Sequence, residues 1–135
     1  MSDNTILPER HYLEMCIPIS ELCLAYSETR EAYRMVFRLD MLNISKLNLR
    51  LLGRKWTMRD AADRTFIIEG DHVFNQDPLL TPGAVFSFGG HHDFAEPPVS
   101  MEVRFFGVDQ MLVPFITTPC VFPARCFRLP RRRRH

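Results

Sequence analysis

The chain lacks most of the patterns that would assign it a chemistry. No apolar run approaches the roughly eighteen residues a membrane-spanning helix needs, so no membrane span is expected. There is no GxSxG, no P-loop and no cysteine–histidine motif, and neither a catalytic site nor a cofactor is expected. The four cysteines, Cys16, Cys23, Cys120 and Cys126, form no CxxC and cannot be ordered into a Cys₂His₂ set. They read as buried structural thiols of a reduced intracellular protein. No secretory signal opens the sequence, whose first residues are polar and include Asp3 and Glu9. An amphipathic Arg-rich presequence is missing as well, and the compartment is left open between a bacterial cytoplasm and a mitochondrion. Lysine is nearly absent: Lys46 and Lys55 are the only two among 17 basic residues. The others are arginines, whose planar forks suit carboxylates and phosphates.

What is present is an ordinary globular composition, 46% hydrophobic and 24% charged over 135 residues, enough for one domain with a real core. The net charge of +1 hides a split. Residues 1–109 carry 11 basic and 16 acidic residues, whereas residues 110–135 carry six arginines and no acid. Disorder and a uniformly basic nucleic-acid binder are both excluded.

The dominant period is two. Tyr33, Met35, Phe37, Leu39 and Met41 alternate with polar residues and Val36, and Leu47, Leu49 and Leu51 start a second run ending at Trp56. These are half-buried strands, joined by a turn at 43–46. Shorter strand-like runs lie around Phe66 and Ile68 and over 84–88, 101–106 and 111–116. Punctuation comes at Pro78, Pro82-Gly83, Gly89-Gly90, Pro97-Pro98 and Pro119. Six to eight short strands with regular turns predict an all-β sandwich or barrel. Residues 20–32 also permit a short helix; a strand to Tyr26 followed by a turn through 27–31 is the preferred reading. No linker or internal repeat divides the chain.

Several side chains are candidates for more than packing. Trp56 is expected at the centre of the core with Phe37, Phe88 and Phe105. Gly53 breaks the alternation and suits a bulge, which would direct Arg54 and Lys55 either to an anion or to a solvated strand edge. His72 with His91-His92-Asp93 is the one set that resembles metal ligands. Adjacent histidines in a strand point to opposite faces, however, and no metal is expected. Asp60 with Asp63, and Asp71 with Asp77, lie in polar turns with nothing to raise a pKa. Phe86, Phe88, Phe94, Phe105, Phe106, Phe115, Phe122 and Phe127 exceed what one small core requires; about five belong inside, and the others suit a protein interface.

At Leu51-Leu52-Gly53-Arg54-Lys55-Trp56 the sequence resembles the ApaG family and its LLGRxW strand. Tyr33, Asn43, Pro78-Leu79-Leu80-Thr81-Pro82-Gly83, Gly90, Met101, Asp109, Val113-Pro114-Phe115 and Val121-Phe122 keep the family's spacing across residues 33–122, with about one extra residue between Gly90 and Met101. The resemblance implies a fibronectin-III-like, immunoglobulin-like β-sandwich with no established reaction. It also implies one of two settings. Bacterial members are standalone proteins linked to cobalt and magnesium homeostasis and to the diadenosine tetraphosphate gene neighbourhood. Eukaryotic members are protein-binding modules within F-box proteins and a DNA-polymerase-interacting protein. The family's GxGxxG falls on residues 70–75, where only Gly70 is kept and His72 and Asn75 replace the other glycines. Gly70, His72, Asn75 and Arg54 therefore mark a degenerate anion-binding loop, retained as a turn more than as a phosphate cradle.

The single domain accordingly comprises an N-terminal strand and hairpin at 1–32 and an ApaG-like β-sandwich core at 33–124, followed by an Arg-rich C-terminal extension at 125–135. Arg125, Arg128, Arg131, Arg132, Arg133 and Arg134 form an expected partner-binding tail. The expected partners are protein subunits of a larger protein or ribonucleoprotein assembly, with RNA as a further candidate for the tail.

Overall fold

The computed structural model describes residues 7–128. Eleven strands and two short 3₁₀ turns make up this part of the chain. The strands are β1 (Glu9–Arg10), β2 (Leu13–Cys16), β3 (Cys23–Ser27), β4 (Ala32–Asn43), β5 (Leu49–Asp60), β6 (Thr65–Asp71), β7 (Leu79–Leu80), β8 (Val85–Phe94), β9 (Pro98–Asp109), β10 (Pro114–Thr117) and β11 (Cys120–Val121). The surplus over the expected count comes from the two-residue strands β1, β7 and β11. Residues 20–32 are not a helix: a 3₁₀ turn at Ile19–Glu21 leads into β3 and then a tight turn.

Two sheets form the sandwich. One runs β1-β10-β9-β5-β6, with β11 also on β9 and β7 also on β5; the other places β2, β3 and β8 around β4. The N-terminal strands thus belong to the same sandwich as the rest. Period-two alternation produces the core directly. Met35, Phe37, Leu39 and Met41 of β4 point inward against Leu49, Leu51, Trp56 and Met58 of β5 and Met101, Val103 and Phe105 of β9. Phe37, Trp56 and Phe105 are buried as expected. Phe88 is not; it lies half-buried at the core margin, because β8 is an outermost strand.

Gly53 sits at a register shift between β5 and β9, the anticipated bulge. The Gly89-Gly90 pair does not end a strand but lies within β8, opposite Arg38 and Phe37. A side chain at position 90 would crowd the Phe37 ring at 3.1 Å, so the missing Cβ serves packing, not a turn. Arg54 and Lys55 are not on a sheet edge: β5 is flanked by β9 on one side and β6 on the other. Of the four free cysteines, only Cys120 and Cys126 are buried; Cys16 and Cys23 are exposed. Burial, with a smaller contribution from Cys16, pushes the Cys120 thiol up to about 11, so it is inert near neutral pH.

The turn after β4 is held by one buried amide. Asn43 Nδ2 donates to the carbonyls of Leu47 (2.8 Å) and Leu80 (2.9 Å), while its Oδ1 accepts from Ser45 N and Oγ. Removing it orphans a buried carbonyl. Asn43→Ala is expected to cost about 2–3 kcal/mol of unfolding free energy in urea titration.

Candidate binding site

The connection from β6 to β7 carries the altered glycine motif, and its backbone keeps the shape that glycines would allow. His72 (φ 69°), Phe74 (φ 53°) and Asn75 (φ 61°) are all left-handed. For a residue with a Cβ this conformation costs on the order of 1 kcal/mol each, so surrounding bonds must hold it. His72 N–H donates to Leu52 O at 2.7 Å, and Val73 and Gln76 exchange both backbone bonds. Val73 is fully buried and pins the loop to the core. His72 Nδ1 lies 2.8 Å from Asp77 Oδ1, and Arg50 Nη1 donates to the Asp77 carbonyl at 2.7 Å.

Arg54 reaches across from β5 and donates through Nη1 to the carbonyls of Asp71 (2.6 Å) and His72 (3.0 Å). Gly70 leaves room for that guanidinium: a Cβ there would lie 3.1 Å from Nη1. The four residues Gly70, His72, Asn75 and Arg54 are thus brought together. Their arrangement, however, binds the loop to itself. The N–H groups of His72, Val73 and Gln76 point to protein carbonyls rather than outward.

Beside the loop opens a cavity of about 290 Å³ lined by Arg54, Trp56, Phe74, Asn75, Phe88 and His91, with His92 at its floor. Its walls are mostly rings. Phe74 packs on Phe88 at 5.9 Å, Phe88 on Phe86 at 6.1 Å, and Phe37 lies 5.0 Å from Trp56. His92 stacks on Phe37 at 5.5 Å and meets Trp56 edge-on at 4.5 Å. Its Nε2 is enclosed without a hydrogen-bond partner. Burial lowers the His92 pKa to about 4, helped by the nearby positive charges of His91 and Arg54 and opposed by Asp93. The alternation expected of the His91-His92 pair is seen, with His91 exposed and His92 turned inward. Among the described residues no three of His, Cys, Asp and Glu are grouped to hold an ion.

The aromatics expected at an interface are placed differently. Phe105, Phe115 and Phe122 are buried, and Phe86, Phe88, Phe94, Phe106 and Phe127 are half-buried. The exposed phenylalanines are Phe66 and Phe74, at 45% and 56%. Phe74 was hidden in the sequence because the glycine spacing draws attention to positions 70, 72 and 75. Of the tail, Arg125 within the 3₁₀ turn Ala124–Phe127 and Arg128 just after it are exposed, while Cys126 of the same turn is buried. Arg131, Arg132, Arg133 and Arg134 lie outside the described residues.

Two facing antiparallel-rich sheets with almost no helix define an all-β sandwich of the fibronectin-III-like class. The chain belongs to the ApaG family: the model of the ApaG domain matches residues 25–108, more than half of its length. It is 26% identical over 110 residues to Protein ApaG of Yersinia pseudotuberculosis serotype O:1b (strain IP 31758), covering 80% of this chain and 88% of that one. Protein ApaG of Yersinia pestis (strain Pestoides F) matches at the same identity and coverage. In three dimensions it is similar to the crystal structure of an ApaA protein from Bordetella pertussis, with a TM-score of 0.70 and 19% identity over 85% of this chain and 94% of that one. A second X-ray structure, of a structural-genomics target, gives a TM-score of 0.72 at 15% identity over 92% and 95%. Among the described residues no helix is long and apolar enough to cross a membrane.

Proposed function

We propose that this ApaG domain is a non-catalytic protein-binding module, an accessory or scaffold subunit whose docking point is the ring-lined cavity beside the β6–β7 loop. The observation that carries this reading is Phe74. Its backbone is held left-handed and its ring is 56% exposed, packed on Phe88 at the cavity rim. Strain and solvent exposure in one aromatic residue is a poor arrangement for stability alone, and strained residues concentrate where ligands are gripped. A partner's apolar side chain entering the cavity would be clasped between Phe74, Phe88 and Trp56, with the Arg54 guanidinium at the rim. These are the residue types that dominate protein interfaces.

Phe74→Gly separates the two roles of this position. It relieves the left-handed strain while deleting the ring, so stability is expected to stay within about 1 kcal/mol of the parent. Tagged protein recovered under native conditions from its source cells is expected to carry a second protein in stoichiometric amount, and Phe74→Gly to lose it. Parent protein recovered with no second protein counts against the module reading.

A second reading makes the same cavity a site for a phosphorylated anion, as in a standalone bacterial protein linked to divalent-cation homeostasis. It is favoured by Arg54 and His91 at the rim, two cationic or cation-capable groups beside Asn75. Calorimetry with pyrophosphate and diadenosine tetraphosphate decides it: heat lost on Arg54→Ala supports this reading, and no heat with the parent removes it.

A further inference from the structure

Strand β6 is the terminal strand of its sheet, and among the described residues nothing pairs with its outer side. Free edges in soluble proteins are normally blunted by lysine, proline or a bulge. Here the edge presents Phe66, Ile67 and Ile68 in succession, at 45%, 57% and 43% exposure. We propose that β6 pairs with the β6 of a second copy of this chain, antiparallel about a two-fold axis at Ile67.

Hydrogen-bond parity shows which groups are free. Antiparallel ladders alternate between bonded and non-bonded pairs. At one end of the β5–β6 ladder Asp60 N–H donates to Arg64 O, and at the other His72 N–H donates to Leu52 O. The register between them is continuous, through Met58↔Phe66, Trp56↔Ile68 and Arg54↔Gly70. The even-numbered residues of β6 therefore turn their N–H and C=O groups toward β5. Thr65, Ile67 and Glu69 turn theirs outward to the empty side.

The pleat then restricts the register. A two-fold axis perpendicular to a sheet keeps each side chain on its own face, so the numbers of opposed residues must sum to an even value. Centring the axis on Ile67 places Phe66 opposite the partner's Ile68, Thr65 opposite the partner's Glu69 and Arg64 opposite the partner's Gly70. No like charges face one another from 64 to 70, and apolar residues meet apolar residues. Moving the axis to Phe66 sets Ile68 against the partner's Arg64 and Ile67 against the partner's Thr65. Moving it to Ile68 sets Glu69 against the partner's Ile67. Only the Ile67 register sets all three apolar residues against apolar residues, and there the outward bonds of Ile67 meet their own symmetry mates; its like-charge pair, Asp63 with the partner's Asp71, lies at the two ends of the paired segment. The interface is isologous, joining the two five-strand paths into one continuous sheet.

Sedimentation equilibrium on the purified protein, over the micromolar range expected for so short an edge, tests this. The parent is expected to form a concentration-dependent dimer, and Ile67→Lys, which opposes two cations on the axis, to be monomeric. Thr65→Glu sets a carboxylate against the partner's Glu69 twice over and should weaken the dimer at least tenfold. Adding Glu69→Lys to Thr65→Glu should restore it, since those two positions are too far apart along one strand to pair within a chain. Amide exchange gives a second readout: Thr65, Ile67 and Glu69 protected in the dimer and fast in Ile67→Lys, Phe66 and Ile68 protected in both. Circular dichroism confirms that each variant is folded. A parent that stays monomeric, a dimer indifferent to Ile67→Lys, or a double variant that does not recover would each overturn the proposal. These outcomes concern purified protein alone and are independent of whether Phe74 retains a second protein.

Discussion

Trp56→Ala is expected to remove about 4 kcal/mol of stability, a large share of the roughly 5–15 kcal/mol that domains commonly have. The indole is 3% exposed and lies where both sheets and the C-terminal segment converge: Phe37 of β4 at 5.0 Å, His92 of β8 at 4.5 Å and Phe122 at 5.8 Å. Truncation opens a hole in a wall made of rings, which cannot collapse as readily as flexible aliphatic chains. Urea titration followed by far-ultraviolet circular dichroism measures the loss. Trp56→Phe, which keeps most of the apolar volume, should lose less than half as much. Equal losses would show that volume is not what this position supplies.

The second large effect is an acid-side loss of stability that belongs to one residue. The folded His92 pKa, near 4, is below its unfolded value of 6.5. Between these values the unfolded chain binds more protons, so stability is complete above pH 6.5 and declines as the pH falls toward 4. A shift of that size corresponds to roughly 3 kcal/mol for a fully enclosed group. The ring is only half-buried and partly screened by solvent, so about 2 kcal/mol is expected. Asp93, held below the ordinary carboxylate value chiefly by its hydrogen bond from Arg34, titrates at lower pH and outside this window. His92→Phe should flatten the profile between pH 6.5 and 4. It should also add about 1 kcal/mol at pH 7, because it removes the unpartnered Nε2. Urea midpoints measured across this range are the test; a slope unchanged in His92→Phe would assign the loss to other groups.

The parts of the fold legible in the sequence are those where one face of a strand is buried. In β4 and β5 every second residue meets the opposite sheet, so the polarity pattern reproduces the burial pattern from Phe37 to Met41 and from Leu49 to Leu51. The same logic separates His91 from His92. Legibility failed at the flanks. On β6, Phe66 and Ile68 share an inward face with Met58 and Trp56, yet the sandwich is open there and the residues stay exposed. Composition cannot distinguish an apolar residue that is covered from one that faces an open seam. Phe88 stays at the core margin for the same reason. The turn at 72–75 is legible, since the tolerance of asparagine for left-handed backbone is a local property. The use of Arg54 to tie that turn down depends on a contact across two strands, and no spacing in the chain announces it.

The proposed docking cavity carries its own reporter. The chain has a single tryptophan, and it is both the centre of the packed interior and one wall of that cavity. Any molecule seated against Phe74 and Phe88 would change the polarity around that one fluorophore. Emission from the unlabelled, unmodified protein can therefore be titrated directly against candidate peptides or phosphorylated compounds, and one optical signal can rank ligands before any partner has been named.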